Sequence, residues 1–424
     1  MTREAAGLAP SRAVLDSGIV VVAKETRKTP AVTMNLAVRS GVVCDPSDVP
    51  GAMNLLARVI DRGTSTRPAA AIAEELDGRG VTLNIGATRH LVSFTCTCLA
   101  ADLEAVLAVI ADVIVAPIFP ENELATRKGE VITAIGQDED SPFIRAAEAL
   151  MVMLFGPDHP YARPQKGSTD SVERMTRGDL LRLHAARFAP SELTAVVVGD
   201  VDASKAIDAI RRAFQGWQTP VPPSVPLPRP APATTRRRTL IPMMNKALVD
   251  IAYGFVSIAR SDPAFYAHWL MNSILGQYAL GGRLGDSIRE RQGMAYYVSS
   301  ALEAQIIEGP LLIRAGVGAE HVDRAIMSID EELDRLRQDG VTEKELAESR
   351  SYLIGSMPRT LETNAGIANF LQRSEVFGLG LDFDLHVPDL LRAVTLDEVN
   401  AAAGALDPAH ASIVVAGPYT DQHL

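Results

Sequence analysis

Gly51-Ala52-Met53-Asn54-Leu55-Leu56-Ala57-Arg58-Val59-Ile60-Asp61-Arg62-Gly63-Thr64 is the stretch that decides how this 424-residue chain is read. Met53, Leu56 and Ile60 recur at intervals of three and four, so the spacing predicts an amphipathic helix with those side chains inward. Asn54 and Arg58, four apart, then share one face of that helix, with Ala57 beside them.

Working outward, residues 69–79, 101–115 and 120–138 have helical periodicity. Residues 18–23, 32–42, 82–87 and 91–99 have strand character through β-branched content or alternating polarity. No strand leads into a Gly-x-Gly-x-x-Gly turn, so a dinucleotide fold is not indicated. Seven prolines between residues 219 and 232 favour an extended, unpacked connection. They divide the chain into residues 1–218, a linker 219–235, and residues 236–424. Arg236, Arg237 and Arg238 read as a solvated face where the second half begins.

The halves echo each other. Pro120-Glu121-Asn122-Glu123-Leu124-Ala125 returns as Thr342-Glu343-Lys344-Glu345-Leu346-Ala347, 222 positions later. Thr176 with Asp179 and Thr395 with Glu398 both have capping-box spacing, and strands follow them at 193–199 and 411–417. Near-constant offsets across different element types argue for duplication. Paired strands followed by helices predict an α+β layer in each half.

Composition removes other classes. With 52 acidic and 41 basic side chains the net charge is −11, which suits no polyanion, and no basic stripe interleaves with aromatics; nucleic acid is not an expected partner. The apolar run 103–119 is broken by Glu104, Asp112 and Pro117, so no membrane span is expected. No basic region leads into a long apolar run at the start, so the expected location is cytoplasmic, or periplasmic if a leader has been removed. Cys44, Cys96 and Cys98 are too few for a disulfide framework; Cys96 and Cys98 alternate onto one strand face as core residues.

The stretch 51–64 resembles the zinc-site helix of the pitrilysin-type, inverted-motif metallopeptidases, and in particular the mitochondrial processing peptidase subgroup. Those members carry Gly-x-x-His-x-x-Glu-His, then Gly-Thr, and Gly51, Gly63 and Thr64 fall in register. Residues 119–142, His159-Pro160-Tyr161-Ala162-Arg163-Pro164, and Arg283-Leu284, Ile288-Arg289-Glu290 and Gly293-Met294-Ala295-Tyr296 resemble further family blocks. The resemblance implies two tandem homologous α+β domains, each an antiparallel sheet with packed helices, in a clam-shell arrangement.

It also implies a metal site, and here the sequence departs. The two histidine positions hold Asn54 and Arg58, the general-base position holds Ala57, and the distal glutamate position falls on Ala134. An arginine offers no lone pair and alanine no ligand atom, so no metal is expected in this chain. None of the eight histidines rescues the site; His90 and His159 stand singly. The family's second domain supplies an Arg and a Tyr seven apart to a substrate, and Arg289 and Tyr296 match that register, two helical turns apart if the segment is helical. Gly281, Gly282 and Arg283 loosely resemble the glycine-rich, substrate-handling loop of non-catalytic subunits. The implied function is the zinc-less subunit of a heterodimeric zinc endopeptidase, whose homologous partner carries His-x-x-Glu-His and the zinc. Its substrate would be unfolded peptide. A scaffolding homologue with no part in proteolysis is the alternative.

Overall fold

Residues 7–277 and 282–420 are described by the computed structural model and form two sheets of one design. The first contains β1 (Ser11–Val14), β2 (Val20–Glu25), β3 (Ala31–Val38), β4 (Asn84–Ala87), β5 (Val92–Leu99) and β6 (Leu193–Gly199), in the order β1-β2-β6-β3-β5-β4. The second contains β7 (Arg237–Pro242), β8 (Val249–Val256), β9 (Ala295–Leu302), β10 (Pro310–Val317) and β11 (Ser412–Gly417), in the order β7-β11-β8-β10-β9. Each sheet is antiparallel except for one pair, β2 with β6 and β7 with β11. The exception is topological. The last strand of each half inserts between two strands that run in opposite directions, so it must lie parallel to one of them.

Alternation sets the core. On β5, Val92, Phe94, Cys96 and Cys98 are buried against helices Ala52–Val59 and Leu103–Val115, whereas Thr95 and Thr97 face the other way. Burial pushes the Cys96 thiol up to about 12 and Cys98 to about 11, so both are inert core groups. β3 ends at Val38, short of the expected residue 42. A Cβ on Gly41 would stand 2.3 Å from the Arg89 carbonyl oxygen, and the N–H groups of Val42 and Val43 donate to Thr88 and Arg89. The chain there bonds to the β4–β5 turn and leaves the sheet. Both capping boxes form, on helices Arg177–Arg187 and Leu396–Gly404.

The compact units depart from the sequence halves 1–218 and 236–424. One comprises residues 7–135, 164–226 and 357–385, and the other residues 136–163, 227–277, 282–356 and 386–420. Helix Pro142–Phe155 packs on β8 and β11, while helix Asn364–Val376 packs on β6 and β3. The two helices begin 222 positions apart, the same offset as the repeated sequence block. Each sheet has apolar side chains on both faces and needs a second cover. For each, that cover comes from the other half of the chain. No helix or strand occupies residues 219–235, and the units part at Pro226 and Leu227. The arginines that follow are all paired: Arg236 bidentate on Asp330, Arg237 on Ser412, Arg238 on Asp323.

Candidate functional site

Helix Ala52–Val59 is started by Gly51 in the left-handed region, φ +88°, which no side chain on Gly51 caps. The Asp45 carboxylate does so from outside, accepting the Gly51 and Met53 N–H groups at 2.7 Å each. Met53, Leu56 and Ile60 are fully buried, as the spacing predicts. Asn54 and Arg58 do share a face, and Arg58 Nε donates to Asn54 Oδ1 at 3.3 Å. Ala57 is buried, and Ala134 lies half-buried on helix Glu121–Glu139.

The chemistry at these positions is that of an ion-pair cluster. Arg127 donates to both Glu130 oxygens at 2.5 and 2.7 Å. That hydrogen bond holds the Glu130 carboxyl below the usual range, and Arg58 and Arg62 act in the same direction. Burial raises Asp61, while Arg62 and Arg127 pull it back. A zinc ion brought here would meet three permanent cations and no imidazole, so these side chains do not fit the family's metal. Among the described residues no group of three His, Cys, Asp or Glu could hold one.

The histidines have other tasks. His159 is buried; its Nδ1 accepts from the Tyr161 N–H at 2.9 Å, Nε2 meets the Pro228 carbonyl at 2.9 Å, and the ring lies among Phe155 and Tyr161. The His-Pro-Tyr block is thus a local turn cap. Burial pushes His90 down to about 4, with Arg89 adding to the effect.

In the second unit, Arg289 lies near the end of the wide helical segment Gly285–Arg291, and Tyr296 lies on β9, the edge strand. The segment between them is not helical throughout, so the condition for a spacing of two helical turns is not met. Gly293 at φ +64° turns the chain out of the helix and into the strand. Tyr296 is 77% exposed, and Arg289 Nε lies 3.8 Å from Glu290, too far for a hydrogen bond. Among the described residues neither side chain is committed to a hydrogen bond. Tyr297, the next residue, points the opposite way and donates to Asp250.

Gly281 lies outside the described residues. Gly282 is buried against Gly276, whose Cα would stand 2.6 Å from an added Cβ. Arg283, expected as a substrate contact, is spent internally: it donates to both Glu345 oxygens at 2.7 and 2.9 Å and to the Gly340 carbonyl at 2.8 Å. Glu345 also accepts from Thr342 N–H and hydroxyl at the start of helix Glu343–Thr360. Burial alone would raise this carboxyl, but Arg283 and Thr342 bring it down to about 2. A depressed carboxylate stabilises the fold in full above its unfolded value near 4.5, and that contribution fades as pH falls toward 2. Glu345→Gln is therefore expected to flatten the fall of the unfolding midpoint between pH 4.5 and 2. Equal slopes in wild type and variant would remove this pair from the acid response.

Sequence reading passed over the threonines and asparagines on the far face of the first sheet, Thr33, Asn35, Thr95 and Thr97. Period-two alternation along β3 and β5 was the signal that places them together.

Residues 20–155 match the family described as Insulinase (Peptidase family M16), and residues 174–353 match the Peptidase M16 inactive domain. An uncharacterized zinc protease of Mycobacterium tuberculosis is 28% identical over 425 residues, covering 98% of this chain and 94% of its own. A non-peptidase homolog of Helicobacter pylori is 23% identical over 390 residues, covering 90% and 88%. The crystal structure of a peptidase M16 inactive domain from Pseudomonas fluorescens superposes with a TM-score of 0.90 at 26% identity, over 98% of this chain and 99% of that one.

Proposed function

This chain belongs to the pitrilysin-type metallopeptidase family M16, as a non-catalytic member, and on that premise we propose that it is the zinc-less subunit of a heterodimeric endopeptidase. The observation that carries the reading is an asymmetry. The four metal-site positions hold Asn54, Ala57, Arg58 and Ala134, while Arg289 and Tyr296 keep the family's register with side chains uncommitted. In this reading the partner is a homologous subunit with an intact His-x-x-Glu-His and bound zinc, and water activation belongs to it. The Arg289 guanidinium holds a substrate carbonyl, and the Tyr296 hydroxyl donates to the oxyanion formed at the scissile carbonyl. Unfolded peptides are the substrate class, because only an extended chain can add to a sheet edge. Among the described residues no helix is long and apolar enough to cross a membrane.

The test is reconstitution. The chain, tagged and recovered from its source cells, is expected to bring down one similar-sized protein carrying the full zinc motif at equal stoichiometry. The purified pair should hydrolyse an unstructured fluorogenic peptide, and this chain alone should not. Recovery of the chain by itself, or a motif-bearing partner equally active without it, would sink the proposal and favour a scaffolding role.

A further inference from the structure

Tyr296 stands where strand alternation alone would not put it. Along β9 the side chains of Val298 and Ser300 enter the core, Ser300 Oγ donating to the Asn272 carbonyl at 3.2 Å. Counting back in twos assigns Tyr296 to that same buried face. Tyr296 is exposed, and Ala295 is buried in its place. The register explains the difference. Val298 pairs with Ala315, Tyr297 with Gly316 and Ala295 with Val317, so Tyr296 has no partner residue on β10. One extra residue in the edge strand is a β-bulge, a device that re-aims a side chain. A regular strand would send this tyrosine into the core, and the bulge turns it out to solvent.

Such a bulge needs a restraint, because β9 pairs with β10 alone and a one-residue slip reverses every side chain. Tyr297, directly after the extra residue, supplies one. Its ring lies over Gly316, where an added Cβ would stand 2.4 Å from Tyr297 Cε1. Gly316 pairs on its other side with Asp250 of β8, so Tyr297, Gly316 and Asp250 make one row across three strands. The outer two backbones of such a row stand about 10 Å apart. The phenol crosses that distance over the residue that lacks a side chain, and its hydroxyl donates to the Asp250 carboxylate. Burial first, and then Asp250, push the Tyr297 hydroxyl up, so it keeps its proton as the donor. Phe143 meets the ring edge-on at 6.1 Å while stacking on the Arg314 guanidinium at 3.8 Å.

We infer that Tyr297 is a positioning residue for Tyr296: tied to Asp250 across Gly316, it fixes the register of β9 beside the bulge and so sets where the Tyr296 hydroxyl stands. The inference rests on the peptidase reading above, in which that hydroxyl meets the oxyanion. The demand on position is steep, since a misplacement of about 1 Å can cost about 10²-fold in rate.

The test has two arms. The first uses the chain alone and follows hydrogen–deuterium exchange of the peptide spanning residues 294–299. Exchange is expected to run about tenfold faster in Tyr297→Phe, the effect of one lost hydrogen bond to a charged group. Gly316→Ala, which displaces the ring and leaves its hydroxyl, should do the same. Asp250→Asn keeps an acceptor for that hydroxyl and should exchange as wild type does. Unchanged exchange in Tyr297→Phe, or Asp250→Asn as fast as Tyr297→Phe, overturns the tether. The second arm uses the reconstituted pair. Tyr297→Phe should lower kcat about tenfold with KM within about twofold, and should change kcat by less than about twofold once Tyr296→Phe is in place. Equal falls in both backgrounds would overturn action through Tyr296. A wild-type pair without hydrolysis, or Tyr296→Phe without effect, counts against the peptidase reading instead, and the exchange arm still decides the tether.

Discussion

Replacing Arg289 by Ala and Tyr296 by Phe is expected to lower the kcat/KM of the reconstituted two-subunit peptidase by about 10²- to 10³-fold, the range for losing a preorganised oxyanion donor. The two changes should divide. Tyr296→Phe removes one hydroxyl whose partner exists only once the carbonyl becomes tetrahedral, so kcat falls with KM little changed. Arg289→Ala removes a contact made to bound substrate as well, so KM rises too. Neither change should disturb the fold. Tyr296 is 77% exposed and Arg289 keeps no hydrogen bond among the described residues, so stability should stay within about 0.5 kcal/mol of wild type. Co-purification of the variant with its partner then separates lost catalysis from lost assembly. Steady-state kinetics on an unstructured peptide decide the matter: a variant within twofold of wild type in both constants would strip Arg289 and Tyr296 of the role.

How far the sequence reached depends on whether the relevant interactions are local. Helix 52–59, the two capping boxes and strands β5 and β6 follow from periodicity and from side chains bonding their own neighbours, and these stand where expected. Asn54, Ala57, Arg58 and Ala134 could be weighed as ligands for the same reason, since residue type alone says that they offer neither imidazole nor carboxylate. The exchange of helices between the units was not legible. Pro142–Phe155 and Asn364–Val376 have ordinary apolar faces, and nothing local says which sheet each will cover. Arg283 pairs with Glu345, 62 residues away, which nothing local announces, and a guanidinium in a family motif looks the same whether it meets substrate or a helix cap. The polar face of the first sheet was half legible: alternation on β3 and β5 sets Thr33, Asn35, Thr95 and Thr97 together. Only the position of Ala365, on helix Asn364–Val376, over that face shows the space left open.

Gly167 sits where two main chains cross, and Gly167→Ala is expected to cost about 3 kcal/mol or more, measured by urea denaturation. Its φ of +77° already disfavours any Cβ by about 1–2 kcal/mol. The larger part is contact. An added Cβ would stand 2.1 Å from the Pro50 carbonyl oxygen and 2.7 Å from Ser171 Oγ, while a Cβ on Gly51 would stand 2.3 Å from the Lys166 carbonyl oxygen. Two main chains cross here with a glycine on each side, and Ser171 Oγ ties the crossing by donating to Pro50 O at 2.8 Å. The alanine could fit only if Pro50 moved. Pro50 leads directly into Gly51, whose N–H is held by Asp45, so the shift would pass into the helix that carries Asn54, Ala57 and Arg58. Gly80→Ala provides the comparison, with φ +66° and nothing within 4 Å of the new Cβ. It should lose only the conformational part, about 1 kcal/mol. Equal losses at the two sites would mean that backbone conformation alone sets the cost; a clear excess at Gly167 would assign it to the crossing that seats helix Ala52–Val59.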